Sequence, residues 1–206
     1  ATVRLKRNFT LNSWNSLCLP FSIDADQIQS QWGEGTKVAE YTGCTESTMK
    51  FTSVDRIEAG KPYLVYPTKA HADGNDYYEF TNVTSFENNP THVSWSPVTY
   101  KGYFYKTTAP KGAYVLRKNV VYHLQSDMTM KGFRAYFAEE AGNQAKIANW
   151  TLDGGEATGI DEVVVDTDHP ADIYQLDGRL ARGNAASLHG LSKGVYIVNG
   201  KKIIVK

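Results

Sequence analysis

The chain has 206 residues, with 22 Lys+Arg balanced by 22 Asp+Glu. That balance excludes a global field that would draw it to nucleic acid or an anionic membrane, and no apolar run is long enough to span a bilayer, so neither a nucleic-acid partner nor a transmembrane segment is expected. The length suits one large β domain, or a mid-sized domain plus a small one, with a core that needs no disulfide staples.

Taken in chain order, most segments read as strand. Residues 3–9 alternate as a half-exposed strand does, and 17–21 form a short apolar strand that runs into Pro20. A helix is expected near 24–32. Asp24 caps it, Gln27 completes a capping box, Ile28 and Trp32 share one face, and Gly33 ends it, so that it covers an end of the fold. Further strands are expected at 38–41, 49–54, 63–66, 78–83, 98–105, 113–117, 120–124 and 133–138, separated by turn residues. With 13 Tyr and many β-branched residues, the pattern predicts an all-β protein: a β-sandwich of short antiparallel strands with one short helix, plus a small β C-terminal subdomain.

Three stretches echo one another: AGKPYLV (59–65), PKGAYVL (110–116) and SKGVYIV (192–198). Each reads as a turn glycine feeding a strand, at spacings too irregular for a solenoid. Residues 151–159 are small, acidic and glycine-rich and read as a linker, dividing the chain into a module over 1–150 and a tail over 160–206. Charge changes across that linker. Residues 151–170 hold six acidic side chains and no Lys or Arg, while 171–206 hold six basic ones against Asp172 and Asp177. A solvated linker before a lysine-guarded strand edge explains this, as does attraction between the two blocks.

In the tail, Asn199-Gly200 lies between two apolar runs and predicts a two-residue hairpin. Such a turn pairs Val198 with Lys201, Ile197 with Lys202, Tyr196 with Ile203 and Val195 with Ile204. Asp177-Gly178 predicts a second hairpin, with Tyr174 and Leu176 facing Ala181 and Arg179.

The chemistry-bearing residues form no strong motif. The five histidines (71, 92, 123, 169 and 189) show no metal-ligand spacing, so neither a metal nor any other cofactor is expected. Cys18 and Cys44 fall in expected strands and are compatible with a disulfide or with buried free thiols. Cys18 lies in an apolar strand, unlike the electropositive setting a thiolate nucleophile needs. There is no G-x-S-x-G elbow and no phosphate-binding glycine loop. The loop over 71–76 offers hard oxygens from Asp73, Asn75 and Asp76, and a polar hairpin turn explains the same residues. Trp95, Tyr103 and Tyr105 are the candidate ligand-binding residues. Tyr103 and Tyr105 stand two apart, on one face of a continuous strand, and with Trp95 they supply a flat apolar platform for a sugar ring. Core filling is the competing role for such aromatics.

Two sets of residues carry a family resemblance. WNSLCLPF (14–21), AGKPYL (59–64) and FRAYF (133–137) resemble the WNTLCLPF, AGKPYL and RAYF signatures of surface modules near the C-termini of exported Bacteroidetes proteins. The segments from Ile173 to Leu180 and from Gly194 to Lys206 resemble the C-terminal sorting-type ends of secreted and surface proteins of that group. The tail departs from the full-length type IX sorting domain in being short, and it has Asp168-His169-Pro170 where that domain carries a PNP element. The resemblance implies a secreted or cell-surface address and no catalytic residue. The chain, which begins in mid-strand without a signal peptide, is read as the C-terminal piece of a longer exported protein.

The sequence thus leads to a non-catalytic extracellular or cell-surface module, adhesive or ligand-presenting, with an export or anchoring tail and with glycans or other surface proteins as partners. A carbohydrate-binding module of a larger secreted enzyme is the alternative. A cryptic glycoside hydrolase is the third reading, because that chemistry needs only two carboxylates brought together by the fold.

Overall fold

The computed structural model describes residues 1–45, 47–72, 74–117, 119–140, 147, 149–155, 158–159, 171–175, 177–185, 191–192, 194–198 and 201–205. About half of the chain is strand and one helix is present among the described residues, so the all-β expectation holds. The chain divides into two compact units, Ala1–Thr158 and Gly159–Lys206.

The first unit is built around two sheets. One has six strands in the order β15 (Thr158–Gly159), β14 (Asn149–Leu152), β4 (Thr48–Val54), β3 (Lys37–Cys44), β5 (Pro62–Tyr66), β2 (Asn15–Cys18). The other has five: β11 (Val120–His123), β10 (Tyr114–Arg117), β13 (Arg134–Glu139), β8 (Val98–Tyr103), β7 (His92–Trp95). Two short pairs complete it, β1 (Val3–Leu5) with β6 (Tyr78–Phe80) and β9 (Thr107–Ala109) with β12 (Met128–Met130). Among the pairs whose register is described, pairing is antiparallel except between β14 and β4, which run parallel with Trp150 opposite Met49.

Period-two alternation assigns the side chains to layers. Ala39, Tyr41, Phe51 and Leu64 point from the six-stranded sheet toward Tyr100, Tyr114 and Phe137 of the five-stranded one, and Trp14 and Trp150 join that cluster. Tyr100 and Phe137 stack there, with centroids 4.2 Å apart and planes 10° off parallel. The alternate residues of the same strands, Leu17, Val38, Tyr63 and Val65, face the other way and pack with Ile28 and Trp32 of helix α1 (Ala25–Trp32) and with Tyr78 and Phe80. Around β5 and the adjoining part of β3 the six-stranded sheet is therefore buried on both faces, which explains why Pro62 to Val65 are all buried although they alternate. β4, by contrast, turns Lys50 and Thr52 to solvent. A third cluster lies on the outer side of the five-stranded sheet, where Ala109 and Met130 of the β9–β12 pair cover Val115 and Tyr136.

Local signals set the elements in place. The Asp24 carboxylate accepts from the Gln27 N–H at 2.9 Å and the Gln27 side chain accepts from the Asp24 N–H at 3.0 Å, a reciprocal capping box. Gly33 closes the helix with φ 99°. The helix was expected over an end of the fold and instead covers a sheet face, because Ile28 and Trp32 join the side chains that β2, β3 and β5 turn outward. Gly60 and Gly112, the turn glycines of the first two echoing stretches, both adopt positive φ (82° and 86°) just before β5 and β10.

Of the stretch read as a linker, Thr151 and Leu152 belong to β14. Asp153 is tied back by the Ser53 N–H and hydroxyl, each 2.7 Å from its carboxylate. Five strands that lacked a clear sequence signal are also present: β7, β9, β12, β14 and β15. β7 is largely exposed and shows no buried alternation, and β9 and β12 are three residues long.

The second unit is a four-stranded antiparallel sheet, β17 (Leu180–Ala185), β16 (Ala171–Gln175), β18 (Gly194–Val198), β19 (Lys201–Val205). β18 and β19 pair in the expected register, Val198 with Lys201 through Val195 with Ile204. The Asn199-Gly200 turn itself lies outside the described residues. The other hairpin differs from expectation, since Tyr174 pairs with Leu180 rather than Ala181. Gln175 donates to the Arg179 carbonyl at 2.8 Å, so the connection is a three-residue loop closed by Gly178 at φ 83°. Ile173, Tyr196 and Val198 are this unit's buried side chains among the described residues.

Candidate ligand-binding site

The three aromatics singled out by the sequence do not form one platform. Trp95 ends β7 opposite Val98, beside a cis Ser96–Pro97 bond, and is 48% exposed. Val98 begins β8 and is buried in the central core, whereas Tyr103 ends the same strand on the opposite face. Five residues of strand, roughly 17 Å, separate the two positions. Tyr103 is instead occupied within its own sheet. Its ring stacks on Tyr136 with centroids 5.4 Å apart, and the two hydroxyls are 3.1 Å apart. Tyr105 lies past the end of β8, where the chain bends, and is 77% exposed. The two-residue spacing therefore does not place Tyr103 and Tyr105 on a common strand face.

Cys18 and Cys44 are both free thiols, with β5 running between their strands. Burial pushes the Cys18 thiol up to about 12, and its Sγ donates to the Gly60 carbonyl at 3.2 Å. The Glu139 carboxylate accepts from the Tyr114 hydroxyl at 2.9 Å. In the 71–76 loop, Asp73 lies outside the described residues and the Asp76 carboxylate pairs with Lys6 at 2.9 Å. Among the described residues no three His, Cys, Asp or Glu side chains gather as metal ligands.

An open cleft of about 620 Å³ lies elsewhere in the first unit, beside β3, β4 and β5. Glu40 and Tyr63 come from adjacent strands in direct register, and the loop after β4 adds Asp55, Arg56 and Glu58. Lys61, one residue before β5, reaches the Glu40 carboxylate at 2.5 Å. Burial acts to lower the Lys61 ammonium, but the bond to Glu40 and the neighbouring Tyr63 and Glu58 outweigh it, leaving the group above its ordinary value. The Lys61 ammonium also lies 5.6 Å from the Tyr63 ring centroid. Carboxylates and cationic donors thus line the cleft over the buried Tyr63 ring, a mixture able both to accept from and to donate to a hydroxyl-rich ligand.

Sequence reasoning missed this cleft. Its residues carry no motif, and the visible signal was limited to the AGKPYL stretch, which places Lys61 and Tyr63 two apart at the start of a strand. Comparisons with protein-family descriptions, curated proteins and solved structures return no match.

Proposed function

We propose that this chain is a non-catalytic extracellular or cell-surface module, adhesive or ligand-presenting, whose second unit serves as an export or anchoring tail. The observation that carries the binding role is the open Glu40–Lys61 cleft, lined by donors and acceptors. The address rests on the resemblance of residues 173–180 and 194–206 to sorting-type ends. Glycans or other surface proteins are the partners this surface suits.

A second reading, a carbohydrate-binding module of a larger secreted enzyme, is favoured by the same polar cleft together with the exposed rings of Trp95 and Tyr105. A glycan-array screen of residues 1–206 tests both. A hit weakened by Lys61→Ala supports a glycan ligand in the cleft, and a hit weakened by Trp95→Ala but not by Lys61→Ala moves the site to the exposed ring. The third reading, a glycoside hydrolase, requires a pair of working carboxylates. In the cleft Glu40 is engaged by Lys61, so glycoside and ester reporters are expected to remain intact. Hydrolysis abolished by Glu40→Gln would overturn the non-catalytic reading.

A further inference from the structure

A second cleft of the first unit, about 320 Å³, brings together residues distant in sequence: Lys6, Arg7 and Asn8 from the segment after β1, Asp76, and Lys131 and Arg134 flanking the turn into β13. Among the described residues four cations line the cleft with one carboxylate, and that carboxylate is already paired with Lys6.

Arg7 is the unusual member. It is 6% exposed, yet among the described residues no carboxylate pairs with it. One terminal nitrogen donates to the Phe133 carbonyl and the other to the Ser16 carbonyl, while Nε has no hydrogen-bond partner. Its guanidinium carbon sits 4.7 Å from the centroid of the Phe9 ring. Burial, reinforced by the nearby Arg134 charge, acts to lower its affinity for the proton. Arginine nevertheless keeps its proton in proteins. A buried charge without a counter-ion is costly unless something supplies the opposite sign.

The turn is also shaped by the cleft. Phe133 adopts φ 55°, a left-handed conformation that bulky residues rarely take, and its carbonyl is the one that receives Arg7. Gly132 beside it passes so close to the chain just past β8 that a Cβ there would lie 2.5 Å from the Phe104 carbonyl oxygen.

We propose that this cleft is a binding site for a compact oxyanion, a sulfate or carboxylate group, seated between Arg7, Lys131 and Arg134. Arg7 supplies a guanidinium fixed in place, and Lys131 and Arg134 supply the outer donors. Planar guanidinium groups match the spacing of paired oxyanion oxygens. The group would arrive either as a free anion or on an acidic saccharide. The site stands whether or not neutral glycans bind the Glu40–Lys61 cleft, which it does not share.

The test is sulfate binding by residues 1–206, read as a shift in Tm in sodium sulfate against sodium chloride at matched ionic strength. A parallel titration compares a sulfated disaccharide with its unsulfated parent. Sulfate also stabilises proteins generally by exclusion from their surfaces, so the variant Lys131→Glu decides. Lys131 is exposed, and reversing its charge leaves the core untouched. We expect a saturable rise in Tm for the unaltered protein and about tenfold weaker binding for K131E, from the reversal of one nearby charge. A response of K131E equal to that of the unaltered protein, or a linear non-saturating rise in both, would overturn the site. Tighter binding of the sulfated disaccharide than of inorganic sulfate identifies a saccharide-borne group, and the reverse identifies a free anion.

Discussion

Gly102 offers a sharp test of how the two sheets meet. It lies in β8 on the face turned toward the six-stranded sheet, directly over Cys18 of β2. A Cβ at Gly102 would lie 2.4 Å from Cys18 Sγ, 3.0 Å from Cys18 Cβ and 3.5 Å from Pro62 Cβ. Cys18 is 0% exposed and its Sγ is held by the Gly60 carbonyl, so it has little room to retreat. Overpacking of this kind costs about 1–3 kcal/mol, and the sulfur contact puts Gly102→Ala in the upper half, about 2–3 kcal/mol. For a unit of this size that corresponds to a Tm lowered by about 4–12 °C, or a urea midpoint lowered by about 1 M. Cys18→Ala alone removes a buried sulfur and costs about 1 kcal/mol. In the double variant the new methyl occupies the space the sulfur left, so the combined cost should fall short of the sum by at least about 1 kcal/mol. Urea unfolding followed by the fluorescence of buried Trp14, Trp32 and Trp150 measures all four corners of the cycle. Strict additivity, or a Gly102→Ala variant as stable as the parent, would refute the close approach of β8 to β2.

The thiols and the acid limb of stability give two more checks. Because burial holds the Cys18 thiol up at about 12, Cys44 should react with a thiol reagent at pH 8 while Cys18 reacts only as fast as the unit unfolds, and equal native-state rates would contradict its burial. The hydrogen bonds from the Ser53 side chain and then its backbone N–H hold the Asp153 carboxyl below its ordinary value. Its contribution is therefore fully present above the unfolded pKa of about 3.9 and is lost as pH falls through the lower folded pKa. Asp153→Asn should flatten the loss of urea resistance between pH 5 and pH 2, and an unchanged acid slope would show that the anchor carries no linkage.

The features legible in the sequence were those whose cause is local. A capping box needs only Asp24 and Gln27 three apart, and its geometry is found intact. A two-residue connection fixes register by itself, so the pairing of Val198 with Lys201 followed from the length of the turn. The Asp177-Gly178 hairpin misled because the same dipeptide also closes a three-residue loop, and one added residue moves Tyr174 from Ala181 to Leu180. The aromatic platform failed for a related reason. Period two holds only while the strand continues, and β8 stops at Tyr103, leaving Phe104 buried and Tyr105 in solvent.

Neither cleft could have been read from spacing, and the layering explains why. The six-stranded sheet is covered on one face by the other sheet and over part of the other by α1 with β1 and β6, while the β9–β12 pair covers the outer side of the five-stranded sheet. Large aromatics fill those layers, so ligand-facing positions in the first unit fall to the sheet area the layers leave open, as at Glu40, and to the segments joining the strands. Such positions are assembled from distant residues: Glu40 with Lys61, and Arg7 with Lys131 and Arg134. The sequence does mark Arg7 by its company, a charged residue that period two places on the same face as Leu5 and Phe9 in an expected strand. The fold turns it inward against Phe133 and Ser16. An interior cation with no carboxylate beside it among the described residues makes this position costlier than a hydrocarbon of the same size. The Phe133 and Ser16 carbonyls and the Phe9 ring give the arginine polar and stacking partners, and an oxyanion seated in the cleft would supply the opposite charge that they do not.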